Sequence, residues 1–222
     1  VKPGNKPDRF TAKARQEGFP ARSVYKLEEI DRRCQLLKPG LRVLDLGAAP
    51  GSWTLKAAQR VGPRGRVVAL DLNPLRVAVP PHVKAMECDI FATPVATLAA
   101  LGPFDVVLSD LAPHTSGIKD ADAVRSVELV EQVLTVADAC LVEGGSLVAK
   151  VFQGVGFEAL RDEVRKRYRT VRLLKPEASR KESVEIFLVG LGKRGAPVTP
   201  EAPGAPGAPD APPAPPSPPA AT

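Results

Sequence analysis

The apolar positions of this chain fall into short runs separated by turn residues and by stretches with helical spacing. The run Leu41–Leu46 is apolar except for Arg42 and Asp45 and is bounded by Gly40 and Gly47. Such a short, bulky, bounded run predicts a buried strand. Similar runs follow at Arg66–Leu70, Val83–Glu87, Asp105–Ser109, Ser146–Phe152, Thr170–Leu174 and Val184–Leu191. Helical spacing fills the intervals. Val24, Leu27 and Ile30 share a face over 23–37, which Pro39-Gly40 stops. Val127, Val130, Leu134 and Ala137 do the same over 123–141. Further helices are predicted at 10–17, 52–60, 93–101 and 157–168. Strands alternating with helices predict an α/β domain built on a parallel sheet.

The first strand runs into Gly47-Ala-Ala-Pro-Gly51 and then a helix. Small residues admit a ligand close to the backbone, and a helix N-terminus offers free N–H groups. The loop lacks the Gly-x-Gly-x-x-Gly spacing, and Pro50 removes a donor. That argues against a dinucleotide and for a ligand with less phosphate. Asp71 ends the second strand, where an acid can accept hydrogen bonds from ribose hydroxyls. Asp89 follows the third strand and Asp110 ends the fourth. An isolated loop aspartate most often caps a helix. A row of them at the carboxyl ends of successive strands marks a ligand edge.

Two charges stand in the wrong company. Lys150 interrupts Leu147-Val148-Ala149-Lys150-Val151-Phe152, and Glu185 interrupts the last β-branched run. A lysine in a central strand is costly to bury unless it is paired or functional. Lys26 lies between Tyr25 and Leu27, and by itself reads as one solvated lysine among many.

The charge is segregated. Of the net +6, residues 1–38 carry ten Lys/Arg against five Asp/Glu, residues 39–160 ten against thirteen, and residues 161–194 eleven against five. Two basic flanks around a mildly acidic middle predict a polyanionic partner. Arg161, Arg165, Lys166, Arg167 and Arg169 crowd near one helix and are expected to meet that polyanion. Cys34, Cys88 and Cys140 are far apart and there are two histidines, so neither a disulfide framework nor a His/Cys metal site is expected. No run reaches membrane-spanning length. The expectation is a soluble, cytoplasmic monomer without membrane contact. From Gly195 the composition turns to Ala, Pro and Gly, which predicts a disordered tail over 195–222.

Asp45-Leu-Gly-Ala-Ala-Pro-Gly-Ser-Trp53, Ser109-Asp-Leu-Ala-Pro113 with Ser116-Gly117, Ala149-Lys-Val-Phe-Gln-Gly154, Lys175-Pro-Glu-Ala-Ser-Arg180 and Ser183-Val-Glu185 resemble the motifs of the FtsJ-type methyltransferases. These are S-adenosylmethionine-dependent ribose 2′-O-methyltransferases, and the likeness is strongest to bacterial members acting on a uridine of large-subunit ribosomal RNA. It covers about residues 8–194, with Ser52 standing where a second glycine is usual. The resemblance implies a Rossmann-like class I methyltransferase fold: seven strands, mostly parallel, the last antiparallel, with helices on both faces. It divides the chain into a basic helical segment (1–40), a methyltransferase domain (41–194) and the tail. It implies a catalytic tetrad of Lys26, Asp110, Lys150 and Glu185. It also implies S-adenosylmethionine contacts at Gly51, Trp53, Asp71, Asp89 and Asp110, with ribosomal RNA or the large ribosomal subunit as partner and no metal.

On that reading Lys150 is the general base, Lys26 lowers its hold on the proton, and Asp110 and Glu185 orient the amines and the hydroxyl. Methylation of transfer RNA or a cap is an alternative within the same chemistry. A non-catalytic RNA-binding assembly factor is an alternative outside it. An NAD-dependent oxidoreductase is disfavoured by Pro50 and the missing glycine.

Overall fold

The computed structural model describes residues 9–180 and 182–195. Two helices, α1 (Arg9–Gln16) and α2 (Val24–Cys34), precede β1 (Arg42–Leu46), α3 (Ser52–Val61), β2 (Arg66–Asp71) and β3 (Val83–Glu87). Then come α4 (Val95–Ala99), β4 (Phe104–Ser109), α5 (Lys119–Cys140), β5 (Leu141–Phe152), α6 (Phe157–Arg167), β6 (Tyr168–Leu174) and β7 (Glu185–Lys193). The strands form one sheet in the order β3-β2-β1-β4-β5-β7-β6. The five strands from β3 to β5 are parallel; β7 inserts antiparallel between β5 and β6. The seven-stranded α/β architecture expected from the sequence is the one observed.

Alternation along the strands sends side chains into two cores. Leu44, Leu46, Val68, Leu70, Val107, Leu147, Ala149, Val151, Ile186 and Leu188 pack with α4, α5 and α6. Val43, Val67, Val106, Leu108, Val148, Phe187 and Val189 pack with α2 and α3. A third cluster of Ala14, Phe19, Val24, Tyr25 and Ala178 seats α1. This two-faced burial is why the central strands read as continuous apolar runs.

Several boundaries differ from expectation by a few residues, and those of α5 and β5 have a visible cause. Helix α5 starts at Lys119, before 123, because Asp122 accepts hydrogen bonds from the Ser116 and Gly117 N–H groups at 2.8 and 3.1 Å. Strand β5 begins at Leu141, directly after α5, before the turn expected at Glu143-Gly145. There Lys193 Nζ donates to the carbonyls of Ala137, Asp138 and Leu141 at 3.1, 2.7 and 2.9 Å, satisfying the end of α5 from a distant strand. The tail from residue 196, and residues 1–8 of the basic segment, lie outside the described residues. No helix among the described residues is long and apolar enough to cross a membrane.

Candidate active site

Asp110, Lys150 and Glu185 come together through strand parity. Leu108, Val148 and Phe187 face the α2–α3 side of the sheet. Residues two further along or back, Asp110, Lys150 and Glu185, therefore fall on the same side. Ser109 registers with Ala149, and Phe152 with Glu185. Helix α2 lies over this face and supplies Lys26.

The result is two adjoining ion pairs. Lys150 Nζ lies 3.0 Å from Asp110 Oδ1 and donates to the Asp110 carbonyl at 2.6 Å. Lys26 Nζ lies 2.5 Å from Glu185 Oε1. Both lysines are 8 % exposed. Burial pushes the Glu185 carboxyl up, but the Lys26 ammonium, the Ser179 hydroxyl and the Lys150 charge outweigh it, and the net direction is down. Beneath them Phe187 lies 5.5 Å from the Lys26 ammonium and 5.7 Å from the Trp53 ring. Phe187 escapes a motif reading because its partners Lys26 and Trp53 are remote in sequence.

The helix bearing Lys26 is clasped to the glycine loop. Ser52 Oγ accepts from the Ala21 N–H at 2.9 Å and donates to the Ala21 carbonyl at 3.1 Å. The Trp53 indole N–H donates to the Ser23 carbonyl at 2.8 Å. Trp53 is thus a core side chain. Ser52, where the resembling family has glycine, uses its hydroxyl to hold the segment before α2.

On the other side of Asp110 the strand ends open into a cleft of about 380 Å³. Gly47, Asp71, Asp89, Leu111 and Pro113 line it, with exposed Leu72 and Phe91 at its mouth. A Cβ on Gly47 would come within 2.7 Å of the Leu111 side chain, and one on Gly51 would strike Val77. Both glycines have positive φ, 77° and 114°, which side chains disfavour. Asp71 Oδ2 accepts from the Ala49 N–H at 2.9 Å and Oδ1 from the Asn73 N–H at 2.8 Å. Asp89 Oδ1 accepts from the Phe91 N–H at 2.8 Å. Leu72 and Phe91 were not singled out from sequence, although each follows a strand-end aspartate by one or two residues.

Under the loop, Asp45 is fully buried. The Thr54 hydroxyl donates to its Oδ2 at 2.7 Å, and Oδ1 has no partner. Burial pushes this carboxyl up to about 7, against the Thr54 hydrogen bond and with help from the Asp110 and Asp71 charges.

The FtsJ-like methyltransferase family pattern matches residues 19–193. The chain belongs to this family. It is 52 % identical over 191 residues to the ribosomal RNA large subunit methyltransferase E of Nitratidesulfovibrio vulgaris (strain DSM 19637 / Miyazaki F), covering 85 % of this chain and 95 % of that one. It is 50 % identical over 197 residues to the protein of the same name from Sorangium cellulosum (strain So ce56), covering 89 % and 93 %. A solved ribosomal RNA methyltransferase of Plasmodium falciparum superposes with a TM-score of 0.70 at 24 % identity, over 80 % of this chain and all of that one. A hemolysin from Streptococcus thermophilus shares the fold at a TM-score of 0.56 and 18 % identity, over 80 % and 68 %. Fold alone therefore does not fix function. In this FtsJ-like chain the chemistry-bearing feature is the pair of buried lysine–carboxylate contacts.

The two basic flanks of the FtsJ-like chain lie apart. Helices α1 and α2 begin beside α3 and the 176–180 loop, at the carboxyl edge of the parallel strands. Helix α6 runs away from that edge, and Tyr168 after it pairs with Lys193 at the opposite end. Its cations are answered by carboxylates: Arg165 by Asp162 at 2.9 Å, Lys166 by Glu163 at 2.6 Å, and Arg167 by Asp138 and Glu163 at 2.9 and 2.8 Å. Helix α6 thus carries Arg165, Lys166 and Arg167 away from the edge at which Asp110, Lys150 and Glu185 meet.

Proposed function

We propose that this protein transfers a methyl group from S-adenosylmethionine to the ribose 2′-OH of a uridine in large-subunit ribosomal RNA. The carrying observation is Lys150, buried in a central strand with its amine held against Asp110 beside the strand-end cleft. The names of the two bacterial relatives support the RNA.

The residues present suit the donor. Asp71 offers carboxylate lone pairs to ribose hydroxyls, and Asp89 lies across the cleft at the base end. Leu72 and Phe91 offer apolar flanks to an adenine. Gly47 and Gly51 let the loop pack against Leu111 and Val77 at positive φ, which shapes the wall of the cleft. Trp53 and the first turn of α3 offer N–H groups to a carboxylate. Asp110 directly precedes Leu111 of the cleft and pairs with Lys150. When bound, the sulfonium supplies an electrophilic methyl group.

The chain's own task is the acceptor. A ribose hydroxyl is a poor nucleophile near neutral pH. The Lys150 amine, once neutral, takes the hydroxyl proton as general base. A free lysine holds its proton to about pH 10.4, and burial or a neighbouring cation loosens it. Asp110 fixes the amine in place, and Glu185 holds Lys26 in the adjoining ion pair. Orientation of hydroxyl against methyl supplies much of the remaining rate. Exposed Arg15 on α1 and Arg180 in the loop before β7 would take phosphates of the RNA.

Large ribosomal subunits from cells lacking this protein, incubated with the purified protein and labelled S-adenosylmethionine, should gain one 2′-O-methyluridine by mass mapping. Label confined to transfer RNA or absent altogether would overturn the reading.

A further inference from the structure

Exposed large apolar side chains gather at the carboxyl edge of the sheet, on both sides of Asp110. Leu72 and Phe91 border the cleft already described. On the opposite side stand Ile118, Val155 and Val184, exposed to 65, 54 and 43 %. Their chain positions tie them to the tetrad. Val184 directly precedes Glu185. Val155 lies in the loop that leaves β5 after Lys150. Ile118 opens α5 at the end of the loop that leaves β4 after Asp110.

These three loops are held to one another. The Gln153 N–H donates to the Val184 carbonyl at 3.0 Å. Gly154 lies against α5, where a Cβ would meet that of Ala123 at 2.7 Å. The loop before Ile118 is pinned by Asp122, which also takes Arg125. Backbone hydrogen bonds of Ser116, with Arg125, the Ser116 hydroxyl and the Gly117 N–H, hold the Asp122 carboxyl down to about 2. The three aliphatic groups are therefore presented by anchored loops.

We propose that Ile118, Val155 and Val184 form the seat for the base of the nucleotide being methylated. The proposal rests on the reading of this protein as an RNA ribose methyltransferase. Its reason is access. Lys150 is recessed and its amine is tethered to Asp110, so it does not come out to a ribose inside stacked RNA. The nucleotide must come in, and its base must leave its neighbours, at a cost of a few kcal/mol. An apolar surface on the loops that flank the tetrad residues recovers part of that cost by burying the base face. None of the three side chains carries a hydrogen-bonding group, so the seat accepts the base as an apolar plate. The choice of nucleotide then falls to the register of the RNA on the surrounding cations.

The test uses the full chain and large ribosomal subunits lacking the modification. Val155→Ser, Val184→Ser and Ile118→Ser, singly and combined, are compared with Val155→Ile. The combined serine variant should lose kcat/KM for subunits by at least ~10-fold, with S-adenosylmethionine affinity and Tm unchanged. Val155→Ile should stay near the unsubstituted rate. A fluorescent pyrimidine at the target position should change emission on binding the unsubstituted protein and not the combined variant. If the unsubstituted protein methylated no RNA ribose, the reading and the seat would both fall. If it did and the serine variants matched it, only the seat would fall.

Discussion

Lys150 meets Asp110 twice, through the carboxylate at 3.0 Å and through the backbone carbonyl at 2.6 Å. The carbonyl contact locates the amine whatever the charge on either side chain, and the carboxylate sets its direction. Replacement of Lys150 by Ala or Arg should lower the single-turnover rate by about 10²–10⁴-fold, the range of general-base catalysis. S-adenosylmethionine affinity by calorimetry should be largely kept. Arg is the sharper substitution, since it keeps the positive charge but does not give up a proton near neutral pH. An active Lys150→Arg enzyme would shift the base to Asp110.

The Lys26–Glu185 pair should show in acid stability. The folded-state Glu185 carboxyl is lowered despite burial. Its contribution is therefore complete above the ordinary carboxylate range and is lost as pH falls through the lowered value. Glu185→Gln leaves the Lys26 ammonium buried without its carboxylate, at about 3–5 kcal/mol. Urea titrations should show that deficit at pH 7 and a smaller one below about pH 4. An equal deficit at both would mean that packing, not charge, is lost.

Asp45 carries the opposite sign. Its folded-state carboxyl is raised to about 7, so on raising the pH the unfolded chain releases this proton first. Between about pH 4 and 7 the folded state holds more protons, and stability falls as pH rises, by up to about 4 kcal/mol. Asp45→Asn keeps an acceptor for Thr54 and removes the titration. Its stability should overtake that of the unsubstituted protein between pH 5 and pH 8. Parallel pH profiles would contradict a neutral buried acid.

Asp71 has two duties. It anchors the Ala49 N–H of the glycine loop and faces the cleft. Asp71→Ala should weaken S-adenosylmethionine binding by about 1–3 kcal/mol, through lost charged hydrogen bonds and a loosened loop. Unchanged affinity by calorimetry would remove Asp71 from the cofactor site.

RNA affinity should fall with salt, and the slope should depend on which basic flank is altered. Arg15→Ala and Arg180→Ala should each lessen the slope of log affinity against log salt by about one. Arg165→Ala and Arg169→Ala, at the opposite edge, should leave it unchanged. The reverse pattern would put the RNA across α6.

The sequence by itself determined the order of strands and helices, because two-faced burial forces continuous apolar runs and helical faces repeat every third or fourth residue. It also exposed Lys150 and Glu185, since a charge inside such a run has to be answered by another group. The row Asp71, Asp89 and Asp110 was legible for a similar reason: parallel strands end on one edge. Lys26 was not legible as a site residue from its surroundings, because nothing local distinguishes a lysine on a helix. Its burial comes from docking α2 over Phe187, and that docking depends on Ser52 and Trp53 gripping Ala21 and Ser23 some thirty residues earlier. Only the tertiary structure separated the two basic flanks. Composition counts charges along the chain, whereas the crossover helix α6 decides which edge they reach and α5 brings Asp138 to Arg167. The state of Asp45 was also decided in three dimensions, since a carboxyl at the end of a strand is ionised or neutral according to what packs above it, and here that is one threonine hydroxyl and no water-facing side.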